Sequence, residues 1–186
     1  GIIENHEDFP GVDIAKLPVR EYPQGKLGAH LLGYVGEISE EQLEESYFAD
    51  ARPPYAAGDI VGKAGLELTY DRWLRGTPAI EKVVVNSAGD VIGTRPKRPE
   101  APGQDLVLSL DAQVQAAAED ALQAGVEAGA AIGGAVTVMD PNTGGIVAMA
   151  SWPTYDPNIW VGGISTKDYK AITSKKNDYP NQSRAF

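Results

Sequence analysis

Residues 134–151, GAVTVMDPNTGGIVAMAS, are two apolar β-rich runs joined by a Pro, Asn and Gly turn, and they constrain the fold more than any other stretch of the chain. A two-stranded hairpin is marginal by itself in water, so a helix or further strands must pack against it. The preceding residues offer a helix: Asp111 is a good N-cap, and the Ala-rich run 112–127 follows it and ends near Gly129. Before that, DLVLSL at 105–110 reads as a strand. One helix covers one face only and an exposed apolar edge recruits further strands, so this part of the chain is expected to gain stability from contact between copies, as a homo-oligomer through exposed strands.

The N-terminal part reads differently. Residues 1–39 alternate short apolar stretches with Gly and Pro, which predicts short strands and turns rather than helix, with Val12 and Ile14 alternating in the strand manner. Ser39 with Gln42 three positions later matches a capping box and starts a short surface helix. In IVGKAGLELTYDRWLRG, Leu66, Tyr70, Trp73 and Leu74 recur at spacings of three and four, predicting a helix with one buried face. EKVVVNSAGDVIG predicts a hairpin turning at 87–89, with Val83 and Val85 on one face. RPKRPEAPG, dense in Pro and carrying Arg95, Lys97 and Arg98, reads as a linker between a domain at 1–103 and another at 104–186. The fold class expected is α+β: a pedestal of short strands and helices, followed by the N-terminal portion of an α/β domain.

Sixteen Lys and Arg against 26 Asp and Glu give a formal charge of −10, which repels phosphate backbones and excludes nucleic acid as the expected partner. Cysteine is absent, so no disulfide, thiolate metal site or cysteine nucleophile is available. GDIVGKAG imitates a phosphate loop, but Gly58 and Gly62 lie too close and Ala64 stands where Ser or Thr is required. DPNTGG fails as a calcium loop because Ser151 occupies the position of the bidentate Glu. His6 and His30 lack metal-ligand spacing, so neither a metal nor a cofactor is expected. Asn181, Gln182 and Ser183 form a chance sequon, and Trp152, Tyr155 and Trp160 read as packing against a neighbouring domain before they read as sugar platforms. No serine is followed three positions later by Lys, and neither Lys-Thr-Gly nor Ser-x-Asn occurs, so no catalytic residue is assigned.

FPGV at 9–12, REYPQG at 20–25, AHLLGYVGEIS at 29–39, GDIVGKAGLELTYDRWLRG at 58–76, VNSAGDVIG, PGQDLVLSLDAQVQ, GGAVTVMDPNTGGIVAMASWPTYDPN and the closing SRAF occur in this order. Together they resemble the class B penicillin-binding proteins of the elongation type, the serine D,D-transpeptidases that cross-link peptidoglycan. The resemblance implies a pedestal, often called the dimerisation domain, and the first part of a transpeptidase domain ending before the catalytic serine. It further implies a parent anchored by an N-terminal transmembrane helix on the outer face of the cytoplasmic membrane, in bacterial cell-wall elongation and cell shape. Implied partners are a RodA-type SEDS glycosyltransferase and an MreC-type scaffold, with the peptidoglycan precursor bound only through the catalytic part. The septal, cell-division branch is the alternative, and a stand-alone sugar-binding or hydrolytic domain using Asp140 and Asp156 is the reading from a different class.

Within the resembling blocks, Arg20 and Glu67 are the candidate structural clamp, an ion pair tying REYPQG to the GLE helix. Gly33, Gly36, Gly58, Gly62 and Gly65 are candidate backbone positions, needed for positive φ or close approach.

Overall fold

The computed structural model describes residues 19–89 and 91–186. The expected Val12 and Ile14 strand, FPGV and His6 lie outside them. Mixed α+β architecture is observed, built from three separate two-stranded antiparallel sheets and seven α-helices among the described residues.

The N-terminal part of the described chain is built of short elements. Helix α1 (Ala29–Leu32) is a single turn, where the sequence had predicted strands and turns throughout. Gly28 at φ 65° and Gly33 at φ 79° bound it, and these two positive-φ positions let the chain enter and leave within one turn. Strand β1 (Val35–Glu37) then pairs antiparallel with β2 (Ile60–Gly62). Between them, α2 (Glu40–Glu44) begins with the capping box of Ser39 and Gln42, and α3 (Ser46–Ala49) follows. Phe48, Val61, Ile38, Ala51 and Tyr55 close one core over these pieces.

GLELTYDRWL is two helices, α4 (Gly65–Thr69) and α5 (Asp71–Leu74), broken at Tyr70, rather than one. Its buried face is carried by Glu67 and Asp71, while Tyr70 and Trp73 are exposed, so the aromatic-and-leucine face predicted from spacing is corrected. Asp71 Oδ1 accepts from Gly62 N at 2.7 Å and Oδ2 accepts from the Tyr55 hydroxyl, which accounts for a carboxylate inside this small core.

Strands β3 (Ile80–Val85) and β4 (Val91–Arg98) form the expected hairpin. The Pro-rich basic stretch is not irregular throughout, because its first four residues continue β4. Beyond it the chain is held by the Thr77–Ala101 bridge and by Gln104 N donating to Trp73 O at 2.7 Å.

Further along the chain, α6 (Ala112–Ala128) starts at Asp111, whose side chain accepts from Gln113 N and Val114 N. It packs on β5 (Gly134–Met139) and β6 (Ile146–Trp152) through Ala118, Ala148, Ala150, Leu122 and Val136. DLVLSL does not form the predicted strand. Only its end reaches β6, where the Ser109 hydroxyl donates to Ile146 O at 2.7 Å and Asp111 N to Val147 O at 2.9 Å. Helix α7 (Thr166–Thr173), capped by Ser165, spans slightly more than the predicted short helix.

Candidate functional site

Two constellations stand out, a clamp between Arg20 and α4 and a latch that joins the N-terminal elements to residues 119–180. In the clamp, α4 presents Glu67 inward, and Arg20 Nη2 lies 2.8 Å from Glu67 Oε2. The partners are unequally buried, with 38% of the Arg20 side chain exposed and 11% of that of Glu67. Burial pushes the Glu67 carboxyl above the ordinary carboxylate range, and the Arg20 guanidinium pulls it part of the way back. Tyr22 is buried beside the pair, and its phenol is raised by burial and by the Glu67 charge. A cleft of about 360 Å³ opens next to the clamp, lined by Arg20, Leu32, Leu66, Glu67, Leu74 and Leu106.

The glycines around the clamp divide into cases. A Cβ on Gly33 would sit 1.9 Å from Ala64 O, one on Gly62 2.0 Å from Glu67 O, and one on Gly65 2.4 Å from Leu31 O. These backbones touch, so α1, β2 and α4 approach only because side chains are missing there. Gly58 has φ 89° and open space around it, whereas Gly36 has no positive φ and would meet only the Lys63 side chain, at 3.3 Å.

The latch joins residues far apart in sequence. Tyr22 N donates to Asn158 Oδ1, and Asn158 Nδ2 donates back to Tyr22 O, each at 2.9 Å. Asn158 is itself oriented by Asp156 Oδ1, which accepts from its backbone and side-chain nitrogens. Gly28 N donates to Glu119 Oε1 at 2.7 Å, so α6 caps the turn entering α1. His30 Nε2 donates to Pro180 O at 2.8 Å, its ring standing edge-on to Tyr155. Burial holds the His30 imidazole below its ordinary range, with Arg184 acting in the same direction and the Pro180 carbonyl against it. Tyr34 stacks on Trp160 at 4.0 Å, and Tyr155, Ala29 and Ile172 share a core cluster across the junction.

Tyr155 and Trp160 are therefore packing residues at this junction. Asp140 orders the hairpin turn, accepting from Asn142 N and the Thr143 hydroxyl, while Asp156 lies beyond the far end of β6. With the length of β6 between them, they do not face each other across a cleft as a glycosidase pair must. Among the described residues no group of His, Cys, Asp or Glu could hold a metal ion.

Sequence reasoning passed over Asn158 and Glu119, and considered His30 only as a metal ligand, which its spacing excluded. Only Asn158 carried a local sign, since Asp-Pro-Asn is a turn-ordering triplet; the other two depend on contacts 91 and 150 residues away.

Residues 1–108 match the family described as the penicillin-binding protein dimerisation domain. Over 173 residues, covering 93% of this chain, the sequence is 39% identical to the peptidoglycan D,D-transpeptidase MrdA of Escherichia coli (strain K12). The chain spans 26% of that relative's length. Among solved structures, the complex of PBP2 with MreC from Helicobacter pylori matches at TM-score 0.71 and 27% identity, over 98% of this chain and 32% of that one. Pseudomonas aeruginosa PBP2 in complex with WCK 5153 matches at TM-score 0.62 and 34% identity, over 92% of this chain and 31% of the other.

Proposed function

This chain belongs to the penicillin-binding protein dimerisation domain family, and from that premise we propose that it is the pedestal, with the first part of the transpeptidase domain, of an elongation-type peptidoglycan D,D-transpeptidase. In this reading residues 1–103 are the pedestal and 104–186 begin the catalytic domain. Their work is mechanical: the pedestal holds the catalytic domain in a fixed orientation outside the cytoplasm and offers a surface to an MreC-type scaffold and a RodA-type SEDS glycosyltransferase.

The observation that carries the reading is the latch. A pedestal must fix the orientation of what it supports, and the reciprocal Tyr22–Asn158 pair, with Gly28–Glu119 and His30–Pro180, fixes the two units at three separate points. Rigid coupling of this kind costs little flexibility elsewhere, because each bond uses backbone that a turn already orders. The relative named a peptidoglycan D,D-transpeptidase supports the reaction class, and the Helicobacter pylori complex supports the scaffold partner. The chain contains no Ser-x-x-Lys, Ser-x-Asn or Lys-Thr-Gly, so the role of residues 1–186 in that reaction is positioning.

Two measurements test this. The purified chain, incubated with fluorescent penicillin and analysed by intact mass, is expected to carry no adduct; a covalent adduct would overturn the positioning role. Titration with the soluble part of the MreC-type scaffold of the same organism is expected to show saturable binding. Its absence would remove the scaffold from the proposal.

A further inference from the structure

The β3–β4 ribbon stands apart from the rest of the molecule. Its two strands contact each other extensively and make no substantial contact with any other helix or strand. Ile80, Val83, Val84, Val85 and Ile92 are all exposed on it, the largest group of exposed apolar side chains on any one of the three sheets among the described residues.

The two outer edges of the ribbon differ. In β4 the register skips Lys97 between the pairs Ile80–Arg98 and Glu81–Pro96, and skips Ile92 between Val84–Gly93 and Val85–Val91. Two bulges and Pro96 therefore blunt the β4 edge, as edge strands are commonly protected. β3 carries neither bulge nor proline, and its outer edge bonds to no strand among the described residues.

Charge adds a second constraint. Lys82 and Arg95 are directly paired across the ribbon, an arrangement of like charges that destabilises a sheet unless something anionic lies over it. Lys97 follows two positions along β4. Among the described residues the ion pairs are Arg20–Glu67 and Arg75–Asp59, and neither uses these three exposed cations. Alternation along β3 places Lys82 and Val84 on one face and Val83 and Val85 on the other.

We propose that the β3 edge is a docking site for an extended protein segment that adds as a third strand, with acidic side chains on the Lys82–Arg95 face and apolar ones on the Val83–Val85 face. An anionic polymer would satisfy the cations and leave the valine face and the open edge bare. A lipid surface fits less well, because the ribbon tip is the polar Asn86, Ser87 and Gly89. A second copy is disfavoured by charge: residues 80–98 hold Lys82, Arg95, Lys97 and Arg98 against Glu81 and Asp90, so pairing of ribbons brings net positive onto net positive.

The test is a titration of the 186-residue chain, followed by fluorescence anisotropy, with a labelled heptapeptide of alternating Glu and Val. Controls are its Lys and Val counterpart and an acidic version N-methylated at alternate residues, which cannot complete a ladder. The acidic peptide is expected to bind, and N-methylation and the double variant Lys82→Glu/Arg95→Glu are each expected to weaken it by at least about tenfold. The N-methylated arm uses the unaltered protein, so it decides the question even if the double variant folds poorly. Absence of acidic-peptide binding would overturn the proposal. So would equal affinity for the N-methylated peptide, joined by polyphosphate or phosphatidylglycerol vesicles, which would assign the ribbon to anions in general. Concentration-dependent self-association abolished by the double variant would assign the edge to a second copy and likewise overturn it.

Discussion

Glu67 is almost buried and Arg20 is not, and that asymmetry determines what each truncation does. Removing Arg20 leaves a carboxylate inside the protein without its counter-charge; removing Glu67 leaves a guanidinium that water can solvate. Breaking a fully buried pair costs about 3–5 kcal/mol, and the exposure of Arg20 reduces that, so Arg20→Ala is expected to lower stability by about 2 kcal/mol in urea unfolding. Glu67 already has a folded-state pKa above its ordinary value, and losing Arg20 raises it further. A raised folded pKa contributes stability below the unfolded pKa and loses it as pH rises. The deficit of the variant should therefore shrink as pH falls toward the ordinary carboxylate range and be full at neutral pH. An unchanged unfolding midpoint at neutral pH would retire the clamp. The pair was legible only through the resemblance of two sequence blocks, since no local rule links positions 47 residues apart. Gly33, Gly62 and Gly65 share an explanation in backbone contact, whereas Gly36 looks the same in sequence and has room for a small side chain.

At the level of elements, the parts written in local chemistry were legible: the Ser39 capping box, the Asp111 cap and the turn of the β5–β6 hairpin. Spacing failed at α4 and α5, because Glu67 and Asp71 are also four apart and their partners, Arg20, Tyr55 and Gly62 N, lie outside the segment. It failed again at DLVLSL, because the edge of β6 that it runs toward is already occupied. The outer edge of β6 is taken by α6 and the residues leading into it. Gln115, 2% exposed, accepts from Met149 N at 2.7 Å and donates through Nε2 to Met149 O at 2.9 Å, while Asp111 N and the Ser109 hydroxyl bond Val147 O and Ile146 O. One side chain thus stands in for a strand at Met149. Gln115→Leu keeps the volume but leaves an N–H and a C=O without partners, and is expected to cost about 3 kcal/mol with faster amide exchange at Met149. Gln113→Ala, on the exposed side of the same helix, should change stability by less than about 0.5 kcal/mol. Equal effects of the two would mean that Gln115 does not seal the edge.

Across the whole molecule the junction carries a titratable group. His30 is held below its ordinary pKa of 6.5, chiefly by burial, so between that value and its lower folded value the unfolded chain binds more protons than the folded one. Stability at the junction is therefore full above about 6.5 and declines as pH falls through this window. His30→Gln, which can still donate to the Pro180 carbonyl, is expected to flatten the dependence of melting midpoint on pH over that interval; an unchanged slope would place the sensitivity elsewhere. Association between copies also belongs at this scale. The β5–β6 sheet has two strands, and with the β6 edge sealed by Gln115, Asp111 and Ser109, the outer edge of β5 is the edge of this sheet that no described strand pairs with. It ends in Val138 and Met139, both exposed, and carries neither Pro nor charge to blunt it. Copies are expected to meet along that edge, so light scattering should show a mass that grows with concentration. Ala135→Lys, which puts a charge on an exposed β5 position without touching the α6 contact, should restore the monomer mass. A chain that stays monomeric at every concentration, with the 104–186 region as protease-resistant as the rest, would show that α6 alone stabilises the hairpin.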